Sequence, residues 1–121
     1  MALQEDWGEP IYVYSRAQAL EDGMLADVSA TAREAGIRYP VALTSSVVTL
    51  CEPPKRSHED FAGRLWDVLW MLRMAMKRAP GGSDRLLYTV RIGARNVQLK
   101  AVVGPGDNFE PVITVSLPEE D

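Results

Sequence analysis

The chain is poor in the residues that build catalytic and metal centres. Among its 121 residues there is one histidine, His58, and one cysteine, Cys51. A lone cysteine excludes an intrachain disulfide and fits a reducing compartment. Cys51 and His58 stand at a spacing that matches no zinc pattern, and the pair falls short of a tetrahedral ligand set. To act as nucleophile and base they would need the chain to fold back at Pro53 and Pro54, whereas His58 is expected in the exposed first turn of a helix. No catalytic residue, metal ligand or cofactor is assigned. Long apolar runs are also missing: nothing approaches the roughly 20 residues that cross a bilayer. The opening MALQEDWGEP is acidic where a signal peptide is basic and then apolar. The expectation is a cytoplasmic protein without a membrane partner.

What is present is ordinary for a globular domain. With 46% hydrophobic and 25% charged residues, the chain reads as one domain, 1–121, large enough for a core without staples. Its net charge of −4 is unevenly spread: residues 1–54 carry eight acidic and three basic side chains, 55–100 four and ten, 101–121 five and none. A basic middle between acidic ends suits a charged partner or self-association, and it equally suits neutralisation within the fold.

The organising stretch runs from Ser57 to Arg78, SHEDFAGRLWDVLWMLRMAMKR. Ser57 with Asp60 resembles a capping box, acids fill the first turn, Lys77 and Arg78 suit the other end of the dipole, and Pro80 with two glycines stops the helix. Stepping at 100° puts Phe61, Leu65, Val68, Leu72, Ala75 and Met76 on one stripe, flanked by Leu69 and Ala62. A second apolar row, Trp66, Trp70 and Met74, falls on roughly the opposite side. Either the helix is sandwiched between two layers, or this row is an exposed patch for a partner.

Before this helix, Ile11–Tyr14 reads as a short strand. Ser15 caps a short helix over 16–22 closed by Gly23, Met24–Val28 is extended, and Ser29 caps a helix over 30–35 ended by Gly36. Ile37–Leu43 is extended, and Thr44 caps a helical turn or two through Cys51. After Gly82 the period changes to two: Leu86–Ile92, Val97–Val103 and Pro111–Leu117 read as strands. Facing Ile92 with Val97 across a loop at 93–96 places Val90 against Leu99 and Tyr88 against Ala101 on one apolar face. Thr89, Arg91, Gln98 and Lys100 share the other.

Two stretches invite a functional reading. Gly104-Pro105-Gly106-Asp107 looks like a phosphate loop but lacks the Walker lysine and hydroxyl, and it leads into a strand, so a strand connection is expected. Arg91, Arg95 and Lys100 could meet nucleic-acid phosphates, although that face has no aromatics for base stacking.

The runs IYVYSRAQALEDG (11–23), DVSATAREAGIRYPVALT (27–44), GRLWDVLWMLRMA (63–75), GPGD (104–107) and EPVITVSLPEED (110–121) resemble an uncharacterised family of small bacterial proteins carried on phages, plasmids and integrated elements. Its members have a shorter link after GPGD, where this chain has Asn108 and Phe109. The resemblance carries no activity or site residue; it implies a genetic setting in which accessory proteins act on host machinery or host defence.

The expected fold is α+β: a long central helix on a three-stranded antiparallel meander, with short helices and strands from 11–51 covering its other side. The leading functional expectation is a non-enzymatic protein-binding accessory factor, an inhibitor of a host nuclease or defence complex, acting through Trp66, Trp70 and Met74. The alternative is a small-molecule-binding domain or small enzyme with a pocket between the long helix and the N-terminal half. Nucleic-acid binding through the hairpin ranks third.

Overall fold

Helix α4 (Phe61–Arg78) is the longest element, and its start is set by a capping contest. The Asp60 carboxylate accepts the Gly63 N–H at 2.7 Å, while Ser57 Oγ accepts from the Glu59 N–H instead. Ser57, His58 and Glu59 therefore precede the helix; a carboxylate is as good a cap as a hydroxyl and lies nearer the apolar stripe. The 18 residues that remain make a rod of about 27 Å. It ends at Arg78 because Ala79 precedes Pro80, which disfavours a helical residue before it.

The computed structural model describes residues 14–120. The strand expected at Ile11–Tyr14 lies, except for Tyr14, outside them. Three short helices precede α4: α1 (Arg16–Glu21), α2 (Ser29–Glu34) and α3 (Ser45–Cys51). Ser15 closes a full capping box with Gln18 on α1, as its position predicts. The other two expected caps are spent elsewhere. Ser29 Oγ donates to Asp27 and accepts from the Val41 N–H at 3.0 Å, and Thr44 Oγ1 donates to Glu120.

The sheet has five strands, β1 (Leu25–Asp27), β2 (Val41–Thr44), β3 (Arg85–Ile92), β4 (Arg95–Pro105) and β5 (Pro111–Ser116), in the order β1-β2-β5-β4-β3. This corrects the three-stranded meander. The hairpin β3–β4 and its neighbour β5 are antiparallel as expected, but β2 adds to β5 in parallel, pairing Val41 with Ile113, and β1 extends that edge. The extended pieces of the N-terminal half thus complete the sheet; they do not form a separate cover. Within the hairpin, Ile92 pairs with Arg95, Val90 with Val97 and Tyr88 with Leu99. The connection is only Gly93-Ala94, with Gly93 at φ 62°, a left-handed setting that suits a two-residue turn. The register is two residues from the expected one, and because the pleat repeats every two, each side chain keeps its face.

One core lies between the sheet and α2, α3 and α4. Leu65, Val68, Leu69 and Leu72 of α4 meet Val41, Leu43, Tyr88, Val90, Leu99, Ile113 and Val115, with Ala32, Val47 and Cys51 from the short helices. Two arginines on α4 secure those helices. Arg64 Nη1 donates to the Leu50 carbonyl at 3.1 Å and Arg73 Nη1 to the Ala35 carbonyl at 3.2 Å, placing a cation at the C-terminal end of α3 and of α2. Helix α1 reaches the opposite face of the sheet, where Arg16 donates to Thr114 Oγ1 and to the Ile113 carbonyl.

Candidate functional site

The outward side of α4 carries a partly exposed apolar row beside the exposed charges of Asp67 and Lys77. Trp66 is 37% exposed and Trp70 44% exposed, and their i, i+4 spacing stacks the rings with centroids 5.9 Å apart and planes 14° from parallel. Met74, one turn further, is half-buried. A helix that turns leucines to a sheet on one side and stacked indoles to solvent on the other offers a ready contact area. Indole surface is the kind that anchors protein interfaces. Among the described residues no second layer covers this row completely: α2 and α3 pack on the sheet side with α4, and both tryptophans keep more than a third of their surface exposed.

The hairpin cations are dispersed. Arg91 and Arg95 are exposed, but Lys100 is only 7% exposed. Its ammonium donates to the Glu120 carbonyl where the chain folds back after β5. Glu120 also accepts from Thr44 Oγ1 and from the Leu117 N–H. Lys100 is therefore part of a structural lock on the C-terminal turn and is withdrawn from any phosphate-binding set. Of the remaining pair, Arg91 shares a cleft with Trp70 and Asp67.

Gly104 and Pro105 end β4, paired with Val112 and Pro111, and Gly106 and Asp107 open the β4–β5 connection. Its acid has a use that the sequence pattern did not disclose: the Asp107 carboxylate accepts the Arg16 and Ala17 N–H groups at 2.9 and 3.0 Å. The start of α1 is thus occupied by the chain's own carboxylate, at the place where a phosphate would sit. At the tip of this connection Phe109 is 88% exposed and adopts φ 64°, an uncommon setting for a bulky side chain.

Cys51 and His58 do not form a reactive pair. The Cys51 thiol is fully buried in the core, and burial, partly opposed by Arg64, raises its pKa from 9.0 to about 11. His58 is exposed in the loop before α4. Among the described residues no group of three or more His, Cys, Asp or Glu could hold a metal ion, and no helix is long and apolar enough to cross a membrane.

The clefts are shallow. One of about 350 Å³ opens where α4 ends, lined by Leu72, Met76, Leu86, Val103 and Ile113 with Tyr39 at its rim. Another, between the α2–β2 link and α4, is bounded by Ile37, Tyr39, Arg73 and Met76. The first is mainly apolar, whereas the second also brings Arg38 and Lys77 beside Arg73. The signal that the sequence analysis missed is the position of β3 at the end of the sheet, which depends on strand order and has no local signature.

The chain belongs to a family of unknown function, DUF6573, whose model matches residues 6–121. No curated protein and no solved structure matches it.

Proposed function

We propose that this family member is a non-enzymatic protein-binding accessory factor that engages its partner through the outward face of α4. The stacked, solvent-facing Trp66–Trp70 pair carries the reading. An exposed aromatic pair on a rigid helix presents large apolar area at little cost in side-chain entropy. The resemblance to proteins of phages, plasmids and integrated elements adds the setting, in which an inhibitor of a host defence or nuclease complex is the role that fits a small binding domain.

The test compares affinity capture by the native protein and by the Trp66→Ala/Trp70→Ala variant in lysate of the host. One stoichiometric protein retained by the native chain, and lost by a variant with unchanged circular dichroism, is the expected result. Equal retention by a folded variant overturns the assignment to this face.

A second reading rests on the apolar cleft at the end of α4, whose volume is at the lower limit for a small-molecule site. Thermal stabilisation by a metabolite, abolished by filling the cleft with Val103→Trp, is its test.

A further inference from the structure

We propose that the free edge of β3 is a docking site for an extended, acidic segment of a partner protein, which adds to the sheet as a further strand. The inference rests on the reading of the chain as a binding protein and supplies the chemistry of the partner.

The sheet ends in two unlike strands. β1 is three residues long, too short to template another chain. β3 has eight residues, and its pairing with β4 fixes which backbone groups remain free. The two-residue turn makes Ile92 and Arg95 a hydrogen-bonded pair. At the far end the Val103 N–H donates to the Asp84 carbonyl at 2.8 Å, in phase with that pair. Even-numbered residues from Asp84 to Ile92 therefore turn their backbone groups to β4, and Arg85, Leu87, Thr89 and Arg91 turn theirs outward. Ser83 satisfies Arg85, donating to its carbonyl and accepting from its N–H. At Leu87, Thr89 and Arg91 these groups have no partner among the described residues. Such a row is what strand addition uses for affinity.

Side chains define what the strand should carry. Beneath the edge runs a groove between α4 and β3, made of two clefts of about 430 Å³ each that share Met71 and Thr89 and include Trp70 and Ala75. Alternate residues of an added strand would point into it; Trp70, Met71 and Ala75 suit apolar side chains, Asp67 disfavours an acid at the Trp70 end, and Arg78 accepts one at the other. On the outer face Arg85 and Arg91 flank Leu87 and Thr89, and neither guanidinium has an ion-pair partner among the described residues. Opposite charges directly across a strand pair stabilise and like charges destabilise, so carboxylates belong on this side. The same rule disfavours a second copy of the chain. An antiparallel β3–β3 pairing that uses all four outward residues sets Arg85 against Arg91 of the other copy, twice. The best occupant alternates apolar and acidic residues.

The test uses a Glu-Val repeat peptide of about eight residues, matched to the strand length, with a Lys-Val peptide as control. The readout is amide hydrogen exchange of the labelled protein. Expected is slowing of the Leu87, Thr89 and Arg91 amides by about tenfold or more with the acidic peptide only, weakening with salt. Arg85→Glu/Arg91→Glu, at exposed positions, should reverse the preference between peptides. Thr89→Pro removes one outward N–H without touching the β4 ladder and should weaken binding about tenfold. Unchanged exchange at these amides under saturating acidic peptide overturns the proposal. So does concentration-dependent protection in the protein alone, which would assign the edge to a second copy. The readout needs no natural partner, so a negative result leaves the tryptophan face to its own capture experiment, and failure there leaves this one standing.

Discussion

The two sides of α4 are both apolar, yet only one is inside the protein. Towards the sheet, Leu65, Val68, Leu69 and Leu72 are at most 7% exposed, whereas the larger Trp66 and Trp70 on the outward side keep 37% and 44% of their surface in water. Hydrophobicity of the side chain does not explain the difference, because the indoles have more apolar area to bury. Reach does. A five-stranded sheet lies under one side, and the short helices that could have covered the other are drawn alongside by Arg64 and Arg73 and by their own contacts with β2. Burial thus measures which element the chain can bring to a face. An apolar face that receives none remains available for association.

The sharpest way to break this contrast is to remove an inward side chain. Leu69 is fully buried in the main core. Leu69→Ala should lower stability by about 3 kcal/mol, combining lost transfer energy with an unfilled cavity, and the midpoint of thermal unfolding should drop by roughly ten degrees or more. A shift of only a degree or two would mean that the sheet and α4 are not packed as described.

The inward stripe was legible from Leu65 to Leu72 because a period of 3.6 over a long segment has few alternatives, although Phe61 and Ala62, placed with it, are exposed; the faces of the hairpin were legible because a period of two survives a register error of two. Local competition obscured the rest. Nothing in the spacing tells that Asp60 outranks Ser57 as the cap, or that Ser29 bonds β2 while its helix starts without a side-chain cap. The parallel pairing of Val41 with Ile113 joins segments far apart in the chain, and a four-residue strand gives little signal of its own. Both proposed surfaces inherit this limit: periodicity separated Trp66 and Trp70 from the leucines and Arg91 from the core, but whether anything covers them was decided by long-range topology.

A second test reads the inward side through its titration. Cys51 belongs to the same core as Leu69, and burial raises its thiol from 9.0 to about 11. The neutral form is favoured in the folded state, so between those values the unfolded chain has already released a proton that the folded chain retains. Stability is therefore at its full value below pH 9 and falls as pH rises towards 11. The loss is on the order of 2 kcal/mol at the upper limit. Tyr88, whose hydroxyl donates to the Val68 carbonyl, is also raised by burial, and its contribution begins only above its ordinary value of 10.0. Chemical denaturation from pH 8 to 10 should show the first decline in the native protein and not in Cys51→Ala. An equal decline in both would place the thiol in contact with water.

The smallest effect is expected on the outward side, and its size is what makes the contrast useful. Trp66 and Trp70 each leave more than a third of their surface in water, and alanine is the better helix former by several tenths of a kcal/mol. Each single substitution to alanine should therefore cost about 1 kcal/mol or less, well below Leu69→Ala. The stacked rings nevertheless touch, so the double variant should lose less than the sum of the singles. A coupling of about 0.5 kcal/mol is expected for an aromatic pair of this geometry. Denaturant titration of the four proteins measures it. Singles that cost as much as Leu69→Ala would show that the outward row is holding the fold together, and the case for a contact surface would go with it. Small single effects with a measurable coupling describe a face that is ordered before any partner arrives, and binding then need not spend conformational entropy on these two side chains.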